Sequence, residues 1–144
     1  MIRIIAVGKI KENYLTEMIV DYLKRINKYH KIEIIEIIDN NPILEGKNII
    51  SKIKNKAYNI VLAIDGDQFN SLEFASFMDN TLMNKANINF IIGGSEGLSE
   101  EVLKVANKQI SFSKMTFPHG LFRAILLEQI YRSFKIKNNE RYHK

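Results

Sequence analysis

The stretch Ile88–His119 reads INFIIGGSEGLSEEVLKVANKQISFSKMTFPH. Its apolar run Phe90-Ile91-Ile92 has the composition of a buried parallel strand and stops at Gly93-Gly94, where the backbone must turn sharply. After Gly97-Leu98, Ser99 is placed to cap a helix whose first turn carries Glu100 and Glu101, and this helix is predicted to run to about Asn107. Ile110–Phe112 reads as a second strand. Ser113-Lys114-Met115-Thr116-Phe117 keeps neither a helical nor a strand period and stops at Pro118, which marks an ordered loop before a long helix. Two loops therefore leave the ends of two strands. In an open parallel sheet ligands bind at such ends, where strand C-termini and helix N-termini converge.

The rest of the chain repeats the alternation. Ile2–Val7 suits a central strand closed by Gly8, and Tyr14, Leu15, Met18, Ile19, Tyr22, Leu23 and Ile26 then recur on one helical face. Ile32–Ile38 is rich in β-branched residues and reads as a strand, broken by Asp39-Asn40-Asn41-Pro42. Isoleucines at 49, 50 and 53 among lysines at 47, 52, 54 and 56 predict a short basic helix over Lys47–Lys56. Ile60–Ile64 is the next strand, and Asp65-Gly66-Asp67 is predicted to turn the chain, its side chains bonding their own backbone rather than a metal. Ser71 is expected to cap a helix ending near Asn84. Pro118 opens the last helix, from His119 to about Lys135, which is apolar over more than one face. That excess fits either a subunit interface or burial within one tightly wrapped chain. Strands alternating with helices predict an α/β fold with a mostly parallel sheet flanked by helices.

Composition narrows the function. A chain of 144 residues is expected to form a single domain, 1–144, and no apolar run approaches the roughly 20 residues that span a bilayer. The apolar amino terminus is too short for a signal-peptide core, so a cytoplasmic location is expected without any membrane partner. With no cysteine there is no disulfide or thiolate chemistry, and His30, His119 and His143 lack zinc-site spacing, so no metal is expected. The net charge of +5 and pI of about 9.3 favour a polyanionic partner, or equally lysines on solvated faces. No G-x-x-x-x-G-K-[ST] string occurs, and the first strand ends in the lone Gly8 rather than in G-x-G-x-x-G, which argues against NTP hydrolysis and dinucleotide binding.

Taken together, IIGGSEGL, ISFSKMTFPH, RAILLEQIYR and the ending NNERYHK resemble the small bacterial methyltransferases that act on N3 of a pseudouridine in large-subunit (23S) ribosomal RNA, members of the SPOUT superfamily. The resemblance extends to IRIIAVGKIKE and VLAIDG, covers essentially the whole chain, and leaves no motif of the pattern missing. It implies a C-terminal trefoil knot, a homodimer, S-adenosyl-L-methionine as methyl donor and the assembled ribosome as substrate.

The cofactor site so implied comprises Leu62, Gly93, Phe112, Ser113, Lys114, Met115, Thr116 and Phe117. Gly93 lets backbone approach a ligand with no Cβ in the way, and the loop offers amides, carbonyls and apolar faces. On residues alone, Leu62, Met115 and the phenylalanines would be core; the resemblance reverses that. His119 is a candidate base, although just inside a helix N-terminus its commonest role is structural. The resemblance also brings Arg141, Tyr142 and His143 to the active site across the dimer, Arg141 to hold phosphate, Tyr142 to stack on a base and His143 to orient or accept a proton. Without the resemblance these residues read as a solvated terminus. The competing readings are a non-catalytic RNA- or ribosome-binding protein of the same fold, a methyltransferase for a different RNA nucleotide, and an α/β enzyme for a small nucleotide.

Overall fold

The computed structural model describes all residues, Met1–Lys144. Five strands, β1 (Ile2–Val7), β2 (Ile32–Ile37), β3 (Tyr58–Gln68), β4 (Ile88–Ile92) and β5 (Lys108–Ser111), pair in parallel in the order β2-β1-β4-β3-β5. Successive side chains of a strand point to opposite faces, and the apolar residues divide accordingly. Ile2, Ile4, Ile60, Ile88, Phe90 and Ile92 join a cluster of 20 buried residues beneath α1 (Asn13–Ile26), α3 (Ser71–Asn84) and α5 (His119–Lys137). Ile5, Val7, Val61 and Ile91 face a smaller cluster of 7 under α2 (Pro42–Lys52) and α4 (Glu100–Val105). The sheet is thus buried on both sides, which is why its strands read as continuous apolar runs.

Helix α5 lies between α1 and α3 on the larger face, and Ala124, Leu126, Leu127, Ile130 and Phe134 are all buried there. Most of its two-sided apolar pattern is therefore satisfied within one chain, with Leu121 left exposed. Arg123 is buried on the same helix at 4% exposure and ties it to the sheet, donating to Glu36 at 2.7 Å and to the carbonyl of Gly8 at 3.2 Å.

Three sequence readings need correction. Helix α2 starts at Pro42, five residues before its predicted start, and ends at Lys52, leaving Lys54 and Lys56 outside it. Pro42 opens the helix rather than breaking the chain because the Asn41 side chain caps it, accepting the N–H of Leu44 at 2.9 Å. The cap of α3 is Asn70 in a reciprocal capping box with Glu73, not Ser71. Asp65-Gly66-Asp67 is not a self-bonded turn but part of β3, and Asp67 pairs with Lys108 of β5 at 2.6 Å. The helix α4 and the neighbouring β5 also end slightly earlier than expected, at Val105 and Ser111.

That last part of β3 has an unusual course. Ile110 is the register partner of both Leu62 and Asp67. A strand residue offers one place on each edge, so the two partners flank β5 on opposite sides and residues 63–66 carry the chain across its end. The crossing is close: a Cβ on Gly66 would lie 2.6 Å from backbone atoms of Gln109 and Ile110.

Candidate functional site

A cavity of about 720 Å³ opens at the carboxyl ends of β3, β4 and β5. Leu62 to Asp65 form one wall, and the turn after β4, with Gly93, Gly94, Ser95, Gly97 and Leu98, forms the second. The turn closes on itself, the N–H of Gly97 donating to the carbonyl of Gly94 at 3.0 Å while Gly97 sits at φ +82°. A Cβ on Gly93 would lie 2.8 Å from Leu98 Cγ, so only glycine leaves this wall in place.

The third wall is the loop between β5 and α5. Ser111 Oγ donates to the carbonyl of Ser113 at 2.9 Å, and Ser113 Oγ accepts the N–H of Met115 at 3.0 Å, which stiffens the loop from inside. Phe112 packs edge-on against Phe74 of α3 and Phe122 of α5, with ring centroids 5.7 and 5.3 Å apart, and Phe117 stacks on Phe122 at 6.2 Å. Both serines spend their hydroxyls on the loop backbone, so the wall is built to bind rather than to attack.

Of the candidate cofactor residues, Leu62, Gly93, Phe112, Ser113, Met115, Thr116 and Phe117 all line this cavity, and Lys114 does not. Asp65, Ile92, Leu98 and Phe122 also line it. Asp65 and Ile92 were recoverable from the rule that ligands sit at strand ends, whereas Phe122 is indistinguishable from core by its helical spacing.

His119, the exposed first residue of α5, borders this cavity and a second one of about 300 Å³ between the β1–α1 connection and α5. Tyr14 and Leu121 line the smaller cavity; they are 71% and 37% exposed, and Met18, one turn along α1 from Tyr14, is 45% exposed.

The carboxyl-terminal residues lie elsewhere. Tyr142 packs edge-on against Tyr131 at 4.9 Å, under the guanidinium of Arg132 at 4.8 Å, with its hydroxyl 3.3 Å from that of Tyr22. Burial there pushes the Tyr142 phenol above its ordinary pKa. His143 Nδ1 accepts from Arg132 at 3.0 Å, and Arg141 is exposed. At about 1.5 Å of rise per residue, Arg132 is roughly 20 Å along α5 from His119. One chain therefore brings together the loop, the glycine turn and His119, but not Arg141, Tyr142 and His143.

No group of three or more His, Cys, Asp or Glu side chains is placed to hold a metal ion, and no helix is long and apolar enough to cross a membrane.

Known proteins bear directly on this geometry. Residues 1–143 match the family model described as "Predicted SPOUT methyltransferase". The chain is 46% identical to ribosomal RNA large subunit methyltransferase H 1 of Clostridium perfringens strain SM101, with 99% of each chain covered. It is 45% and 47% identical, at the same coverage, to the ribosomal RNA large subunit methyltransferase H of Enterococcus faecalis V583 and of Clostridium botulinum Alaska E43. These alignments run over 157 positions against 144 residues, so the relatives carry at least 13 residues that this chain lacks. Among solved structures, a probable methylase family protein from Haemophilus influenzae Rd KW20 superposes with a TM-score of 0.58 at 12% identity, covering 96% of this chain and 66% of that one, a likeness of fold. With a family match over nearly its whole length and relatives at 45–47% identity, the chain belongs to the SPOUT methyltransferase family.

Proposed function

We propose that the protein transfers a methyl group from S-adenosyl-L-methionine to N3 of a pseudouridine in 23S ribosomal RNA, as a homodimer acting on the assembled ribosome. The observation that carries the proposal is the cavity at the ends of β3, β4 and β5, present in a chain 46% identical over its full length to an enzyme named for large-subunit ribosomal RNA methylation. The cavity fits such a donor. Gly93 leaves a cradle that any Cβ would close against Leu98, and Leu62, Phe112 and Phe117 give apolar surface for a planar base.

When bound, S-adenosyl-L-methionine supplies a methyl group on a sulfonium, which is left as a neutral thioether when N3 of the acceptor takes the methyl and gives up its proton. The chain's part is chiefly to position. The turn after β4, with Gly93, Gly94 and Leu98, and the loop residues Phe112, Ser113, Met115, Thr116 and Phe117 would hold the donor, and His119 stands at the boundary of the two cavities, where it can take the N3 proton or orient the base. Arg141, Tyr142 and His143 serve the reaction from the partner subunit, since within one chain they lie far from the cavity. The exposed apolar residues Tyr14, Met18 and Leu121 beside the smaller cavity support a subunit interface there. The two-edged pairing of β5 supports a threaded, trefoil-knotted carboxyl terminus.

The test is transfer of labelled methyl from S-adenosyl-L-methionine to ribosomes lacking the modification, with mass mapping of the nucleotide. Label at N3 of a 23S pseudouridine is expected, and much poorer transfer to a short RNA stem-loop. Label on another nucleotide, or donor binding without any transfer, would overturn the target, and no donor binding at all would favour a non-catalytic RNA-binding role. Unchanged transfer after joint replacement of Arg141, Tyr142 and His143 by alanine would remove the tail from the mechanism.

A further inference from the structure

Glu45 stands in the first turn of α2, behind the glycine turn as seen from the large cavity, and is 3% exposed. A carboxylate at that depth needs partners. One oxygen accepts the N–H of Asn40 at 2.8 Å, but no ion pair of the chain includes Glu45. The charged groups that face it are themselves acidic: Asp39 from the β2–α2 connection and Glu96 from the glycine turn.

Its other neighbour is Gly94. A Cβ there would lie 3.1 and 3.2 Å from the two carboxylate oxygens of Glu45 and 3.2 Å from Val7 Cγ1, so the backbone of the turn rests against this side chain. The next residue grips the far end of the same turn. Gly46 packs so closely on Ser99, the cap of α4, that a Cβ would overlap its Oγ. One helix thus holds the segment 94–99 at both ends, while Gly94, Ser95, Gly97 and Leu98 of that segment line the cavity.

We infer that Glu45 is a positioning residue for the methyl-donor site, fixing the glycine turn from behind at the place where the backbone must approach the ligand. The role rests on the reading of this cavity as the S-adenosyl-L-methionine site. It also makes the turn sensitive to charge, because an ionised Glu45 faces Asp39 and Glu96 with no cation to offset it.

The experiment is calorimetric titration of the full chain with S-adenosyl-L-methionine from about pH 5 to pH 8, for wild type, Glu45→Gln and Glu45→Ala, with steady-state methyl transfer alongside. Glu45→Ala is expected to weaken donor binding about tenfold and to raise the KM for the donor by a similar factor with kcat little changed. Glu45→Gln keeps the acceptor for Asn40 N–H and the shape; it should bind like wild type at the acid end and lose less affinity than wild type as the pH rises. Equal affinities and parallel pH profiles for all three would overturn the role and leave the donor site standing. Failure of the wild type to bind S-adenosyl-L-methionine would overturn the reading of the cavity and this role with it.

Discussion

At the scale of single residues, two buried ionisable groups behave oppositely. Arg123 is compensated: its guanidinium has Glu36 and the Gly8 carbonyl, though no group accepts from its Nε. Removing one partner of a buried pair strands the other, but Glu36 is 43% exposed, which reduces the effect. Glu36→Ala should therefore lower the unfolding free energy by about 1–3 kcal/mol, seen as a lower urea midpoint. Glu45 is uncompensated, and burial first, with Asp39 and Glu96 adding to it, raises its carboxyl above the ordinary 4.5. A raised folded-state pKa gives stability that is fully present below the unfolded value and is lost as pH rises through the folded one. Glu45→Gln should accordingly gain stability relative to wild type as the pH rises above about 4.5; a difference that stays constant with pH would contradict the assignment. Gly93 was legible as a cavity residue because strand ends and glycine turns have local signatures. Glu45 was not, since nothing in a single helical turn of sequence reveals what packs behind it. Lys114 shares its loop with the cavity residues without lining the cavity itself, a difference that loop composition does not reveal.

At the scale of elements, the alternation of strands and helices was legible from period and punctuation, and the misplaced boundaries share a cause. Asn41-Pro42 and Asp65-Gly66-Asp67 carry breaker composition, yet the first opens a helix through a cap and the second continues a strand that leaves one partner edge for another. Composition marks where the backbone changes course and not which way. Two substitutions test these junctions. Gly46→Ala in an ordinary helix would stabilise by about 1 kcal/mol, but here the new methyl meets Ser99 at the head of α4. Net destabilisation of about 1–3 kcal/mol is expected, read from thermal or urea unfolding. Gly66→Ala puts a carbon into the backbone of β5 itself, which cannot yield as a side-chain tip would, and a loss of about 3 kcal/mol or more is expected. A fully stable Gly66→Ala protein would mean that the crossing is looser than the register requires.

At the scale of the whole molecule, the cavity and the tail occupy different ends of α5, and a second subunit is the simplest way to join them. Leu121→Asp, at the exposed apolar border of the smaller cavity, should yield monomers in sedimentation that still bind donor while methyl transfer falls at least about a hundredfold. Dimers that persist, or monomers that remain active, would count against the interface. Most of the α5 pattern that suggested an interface in the sequence is explained by α1 and α3, with Leu121 left over, so periodicity alone could not separate partners within the chain from partners outside it. The role proposed for the tail rests on its family ending alone, because a seven-residue polar terminus has no period to read.

The passage of β3 around β5 has one more consequence. An open sheet normally ends in two strands whose outer N–H and C=O groups invite pairing with a neighbouring molecule. Here the outer side of β5 at Ile110 and Ser111 is already taken by Asp67 and Gln68, with Lys108 and Asp67 paired beside it. Only β2 is left as a free border, and it carries Glu33 and Glu36. The crossing that forms one wall of the large cavity also closes off a route to strand-to-strand aggregation.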